Sequence, residues 1–149
     1  MAGEITAQSI SNFDQLVLAA VFLQMLLTIA LVILMGQRRV AALQKRQVRM
    51  SEIALATDKY PDDAKKAGNA LNNQFQLPVM FYALVAILLI LGHATHVHVW
   101  LAWAFVLSRL VHAFIHISSN NVNFRFAAYL LGVFILTGFI FSVFWPVFF

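Results

Sequence analysis

The chain has 149 residues, of which 62% are hydrophobic and 11% charged, with a formal net charge of +4 and no cysteine. Fourteen Phe and a mean hydropathy of +0.82 give more apolar surface than a soluble fold of this size can hide, so the bilayer is the expected solvent. At about 20 residues per crossing the length admits four or at most five spans and excludes a large extramembrane catalytic domain, while the missing thiol excludes a disulfide or a cysteine nucleophile in the chain itself.

The first apolar run, Leu16 to Met35, is interrupted only by Gln24 and Thr28. It is expected to stay as a first helix rather than to act as a signal peptide, because the residues before it carry Glu4 and Asp14 and no Lys or Arg. Eight of the ten basic residues then fall between Arg38 and Lys66, which marks 37–70 as the cytoplasmic loop. The segment QRRVAALQKRQVRM extends the first helix beyond the membrane to about residue 50, Tyr60-Pro61-Asp62-Asp63 is the main helix breaker of the loop, and Asp62 or Asp63 suits a new helix start. Further apolar runs follow at Leu71–Leu91, Val97–Ile117 and Phe124–Phe144, separated by the turns Gly92–His98 and Ser118-Ser119-Asn120-Asn121. The expectation is one all-α integral membrane domain over 1–149, an up-and-down bundle of four transmembrane helices at about 14–50, 63–92, 97–119 and 122–146. Both termini then lie on the non-cytoplasmic face. No nucleic-acid module accompanies the basic residues, so membrane lipids, rather than nucleic acid, are the expected partners of the loop.

Two polar stripes do not follow from spanning a membrane. RLVHAFIH puts Arg109, His112 and His116 at helical spacing on one face, and an arginine near mid-bilayer has to face a bundle interior or a wet cavity. On a continuous second helix, Asn69, Asn72, Asn73 and Gln76 share one arc, at about 0°, 300°, 40° and 340°. No apolar run supplies a carboxylate for Arg109. Arg125 at the start of the fourth helix adds a second guanidinium at the cytoplasmic mouth, and the set suits a small anionic ligand. His93, His96 and His98 cluster at the opposite end without an acid or Cys beside them, and we assign no metal there.

The strings NNQFQLPVMFY (72–82), RLVHAFIH (109–116) and NNVNFR (120–125), in this order on four spans, resemble the MAPEG family, membrane-associated proteins of eicosanoid and glutathione metabolism, in a form similar to its bacterial members. The resemblance implies a homotrimer with glutathione as co-substrate between subunits near the cytoplasmic side, in a bacterial inner membrane. It places Asn73, Gln76, Arg109, His112 and His116 in glutathione binding and Arg125 beside the thiolate. Three positions depart from the family pattern: Gln76 replaces a Glu, Asn69 an Arg, and His116 a Tyr.

The chemistry expected of Arg125 is electrostatic. A thiol of pKa about 8.5 is about 3% ionised at pH 7, and a two-unit depression needs about 2.7 kcal/mol of preferential thiolate stabilisation. A guanidinium about 4 Å away supplies roughly 4 kcal/mol at an effective dielectric of 20 and, being always protonated, does not act as a base. The leading expectation is a glutathione-dependent transferase or peroxidase acting on lipophilic electrophiles that arrive through the bilayer. The alternative is a non-catalytic lipid-binding or scaffold protein of the same fold, which Gln76 and Asn69 favour. A transporter ranks below both, since no span carries a carboxylate proton carrier.

Overall fold

The computed structural model describes residues 11–54 and 58–149, so Glu4, invoked above as part of the acidic N-terminal flank, lies outside the described residues. The described residues form helices and turns and contain no strand. Helix α1 (Asn12–Gln44) starts on a capping box in which Ser11 Oγ accepts from the Asp14 amide at 3.1 Å and Asp14 returns the bond to the Ser11 amide. Its buried face is narrow. Val17, Gln24 and Leu31 recur every seven residues with Ala20 between them, and Phe22, Ile29 and Ile33 on the other faces are exposed, as lipid contact requires.

α1 ends in a Schellman arrangement, with the Gln47 amide bonded to Ala42 O and the Arg46 amide to Leu43 O, both at 3.0 Å. Arg46 takes the left-handed conformation (φ 54°) that glycine usually fills. A short helix α2 (Met50–Ile53) follows in the basic loop. The connection packs through Val48 and Tyr60 against Ala42 and Ala64.

The second span is broken. Helix α3 (Asp62–Asn72) gives way to a single 3₁₀ turn at Asn73–Phe75, and helix α4 (Leu77–Leu91) resumes after Gln76, whose φ/ψ of −107°/−104° is not helical. Pro78 accounts for the interruption: it has no N–H for the Gln74 carbonyl four residues earlier, and its ring crowds that carbonyl. α3 turns the small residues Ala64, Ala67, Gly68 and Ala70 inward, which lets it approach α1 closely. Gly92, at φ 67°, closes α4 in the left-handed region.

Helix α5 (His96–Ile117) packs most extensively on α6 (Val122–Phe148). Phe81 of α4 stacks on Phe105 of α5 at 4.7 Å between ring centroids and meets Phe139 of α6, forming the centre of the core. α1, the α3–α4 unit, α5 and α6 are each long and apolar enough to cross a membrane. The protein is therefore an all-α integral membrane bundle of four spanning segments.

At the end away from the basic loop the histidines go to different partners. His98 is buried; its Nδ1 accepts from the Thr95 amide at 3.0 Å, so its proton sits on Nε2, 3.3 Å from Ser142 O. Ser142 is the residue whose carbonyl Pro146, four positions on, cannot serve. His98 thus supplies the hydrogen bond that the proline withholds. His93 Nε2 reaches the neighbouring carbonyl of Val143 at 3.3 Å, and His96 packs edge-on against Phe13.

At the basic end, Arg38 donates to Asp63 O and Ile117 O, and Lys66 donates to Ser118 O. Cations therefore sit on the carbonyl end of α5, where its dipole favours them.

Candidate functional site

Arg109, His112 and His116 share one face of α5, and all three side chains are buried against α6. Arg109, only 1% exposed, is held by backbone. Its Nη2 donates to Ala128 O at 2.9 Å and Tyr129 O at 3.5 Å, its Nε donates to Ser108 Oγ at 3.3 Å, and Phe105 and Tyr129 offer ring faces to the guanidinium carbon at 5.6 and 5.7 Å. The guanidinium occupies the space above Gly132, where a side chain would collide with it. The sequence shows that Arg109 needs acceptors and has no carboxylate in any apolar run; helix carbonyls with a spare lone pair provide two, and among the described residues only Nη1 is left without a partner.

One turn further on, His112 Nδ1 lies 3.1 Å from Arg125 O, so the proton is on Nδ1 and Nε2 carries the lone pair. Among the described residues that buried Nε2 has no partner, and neither has His116 Nδ1. The two rings meet edge to face at 5.9 Å. Arg125 stands in the first turn of α6, which Asn121 caps by accepting from the amides of Asn123 and Phe124. Its Nη1 donates to Asn120 Oδ1 at 2.6 Å, and Asn120 reaches this position through a left-handed backbone (φ 52°).

These groups meet at a cavity of about 220 Å³ lined by Asn73, His112, His116, Val122, Arg125, Phe126 and Tyr129. Four of the six residues singled out from sequence are thus brought together: Asn73, His112, His116 and Arg125. Arg109 and Gln76 do not line it. Arg109 lies behind it in the α5–α6 seam, so the two arginines do not converge on one void within a single chain. Gln76 is exposed beyond the 3₁₀ turn, where the 100° arithmetic of a continuous helix no longer gives its direction. Asn69 and Asn72 are exposed and line a different cavity, while Asn73 Nδ2 donates to Asn69 O at 3.0 Å.

Three groups were missed from sequence. Tyr129, one helical turn after Arg125, had a readable signal in that spacing. Phe126 lines the cavity beside it but looks like any other lipid-facing aromatic in the sequence. The third is the buried pair Gln24–Gln74: Gln24 Nε2 donates to Gln74 Oε1 at 2.7 Å and ties α1 to the break in the second span. Gln24 was visible as a polar interruption, but its partner was hidden among the amides of NNQFQ.

The electrostatic character of the cavity is set by composition. No Asp or Glu occurs after Asp63, so Arg125 at the wall and Arg109 behind it face neutral amides, aromatic rings and histidines. Such a site accepts anionic groups and offers unpaired imidazole nitrogens to a donor.

Comparison with curated proteins and with solved structures gives no significant match. A family model described as "MAPEG family" matches residues 17–145, which take in most of α1 and α6, the other two membrane spans whole and every residue of the cavity. The chain belongs to the MAPEG family.

Proposed function

We propose that this MAPEG protein is a membrane-bound glutathione-dependent transferase or peroxidase acting on lipophilic electrophiles. The observation that carries the reading is the cavity where Arg125 meets two buried histidine nitrogens that lack partners among the described residues. A buried polar atom without a partner costs about 1–3 kcal/mol, and a peptide thiol offers the donors these atoms lack. In this reading Arg125 holds the thiolate, Asn73 and the two histidines contact the peptide, and Arg109 fixes the α6 backbone that carries Arg125. Gln76 engages the peptide from the outer face, across a contact between subunits of a homotrimer.

The reaction follows from the thiolate. Its lone pair forms a bond to an electrophilic carbon, displacing a leaving group or adding to an activated double bond. With a hydroperoxide it attacks the terminal oxygen, the O–O bond breaks, the alkoxide takes a proton and leaves as an alcohol, and a second thiol displaces water from the resulting sulfenic acid to form the disulfide. The hydrophobic acceptor enters from the bilayer, which the exposed Phe126 in the cavity wall favours. We place the protein in a bacterial inner membrane with the basic loop cytoplasmic and both termini on the other face, in accord with the charge distribution.

A second reading, a non-catalytic lipid-binding or scaffold protein, is favoured by Gln76, since no carboxylate in α4, α5 or α6 replaces the missing Glu as a partner for the ligand's amino group. Titration of the purified protein with glutathione separates the two. Heat of binding together with thiolate absorbance near neutral pH supports the enzyme, and absence of both supports the scaffold.

A further inference from the structure

Asn120 does two jobs in the turn between α5 and α6. Its amide donates to Ile115 O at 2.8 Å and so closes the carbonyl end of α5, for which its backbone takes the left-handed conformation (φ 52°). Its side-chain Oδ1 accepts from Arg125 Nη1 at 2.6 Å. Glycine takes a left-handed backbone at less cost than any other residue and would serve the turn alone; asparagine tolerates it and adds the acceptor. Among the described residues this is the one hydrogen bond made by the Arg125 guanidinium, and no carboxylate pairs with it. Asn120 stands outside the wall of the cavity that Arg125 lines, so it reaches that site only through the arginine.

We infer that Asn120 is a positioning residue: it fixes the Arg125 guanidinium at the cavity wall without cancelling its charge, and thereby sets how far a bound thiol is ionised. The ionisation rests on the glutathione reading above, whereas the hold on the guanidinium belongs to the free protein. Two physical facts select a neutral amide for this place. A long arginine side chain left without a partner spreads over several rotamers, and a thiolate gains from the guanidinium only in those that face it. A carboxylate would hold the cation equally well but, standing at about twice the guanidinium's distance from the sulfur, would take back about half of the attraction, since the energy falls as the inverse of distance. The amide oxygen gives the hold without the countercharge.

The test compares Asn120→Gly and Asn120→Asp with the parent as full chains in detergent micelles. Nitrogen NMR of the arginine side chains, without ligand, reads the hold: the two Nη signals of Arg125, assigned by their loss in Arg125→Leu, are expected to be separate in the parent and merged by free rotation in Asn120→Gly. Thiolate absorbance with glutathione, followed against pH, reads the consequence. Asn120→Gly keeps the turn, so its melting temperature is expected to stay near the parent's while the thiolate midpoint rises by about half to one pH unit, a threefold to tenfold smaller ionised fraction. Asn120→Asp is expected to keep the two signals separate and still raise the midpoint by about one unit, half of a two-unit depression. A purely structural role in closing α5 moves the midpoint in neither variant. Merged Arg125 signals in the parent, or a parental midpoint in either variant, would overturn the assignment. Separate parental signals that merge in Asn120→Gly, in a protein that shows no thiolate band, overturn the glutathione reading and support the hold of Asn120 on Arg125.

Discussion

Gly132 and Arg109 form a matched pair: the guanidinium of one lies in the volume that a Cβ on the other would fill. The arginine crosses from α5 to the α6 backbone only because α6 has no side chain at that point. Gly132→Ala is therefore expected to force Arg109 out of its position and to destabilise the bundle by about 1–3 kcal/mol, the usual cost of overpacking. The check is a double-mutant cycle on thermal stability in detergent, in which Arg109→Leu relieves much of the Gly132→Ala penalty. Additive losses would show that the two positions are not coupled.

Arg125→Leu is expected to remove glutathione thiolate absorbance at neutral pH and to lower conjugation about 100-fold, which corresponds to the two-unit pKa depression a guanidinium can supply. Asn120→Ala, which frees Arg125 Nη1 from its 2.6 Å partner, is expected to have the same sign and a smaller effect, about threefold to tenfold. Thermal stability measured alongside distinguishes lost chemistry from lost fold, and full activity in Arg125→Leu would remove Arg125 from the mechanism.

The spans and turns were legible in the sequence because apolar runs and their Gly, Ser and Asn terminators report solvent directly. So was the α5 stripe, whose 3-4-7 spacing survives in an unbroken helix, and two of its neighbours in the site, Asn73 and Arg125, followed from position. Gln76 was not legible in the same way, since Pro78 interrupts the helix on which its direction was calculated. The partners of Arg109 were hidden for a different reason: backbone carbonyls are present at every position, and only the local packing at Gly132 exposes the two that are used. Arg39 and Tyr60 meet through a chain reversal of about twenty residues, a distance that no local periodicity encodes.

The Gln24–Gln74 bond predicts a non-additive pair of substitutions. Gln74→Leu alone leaves Gln24 buried without its acceptor and is expected to cost about 1–3 kcal/mol. Gln24→Leu with Gln74→Leu removes both polar groups and is expected to cost less than the sum of the single changes. Unfolding in mixed detergent measures both.

His98 and Pro146 make a prediction of rescue. His98→Phe leaves the Ser142 carbonyl without a donor and is expected to lower stability by about 1–3 kcal/mol. Pro146→Ala restores a main-chain N–H at the right position and is expected to recover part of that loss in the His98→Phe background while giving little in the parent. A Pro146→Ala effect of equal size in both backgrounds would show that the histidine does not compensate for the proline.

The interruption at Asn73–Gln76 gives the second span two rods with a joint between them. Bending stiffness in a helix comes from its continuous amide ladder, and the ladder is incomplete where Pro78 withholds its rung. A force applied to α3 would accordingly bend the span at this joint, next to Asn73, before it disturbed the seating of α4 in the phenylalanine core.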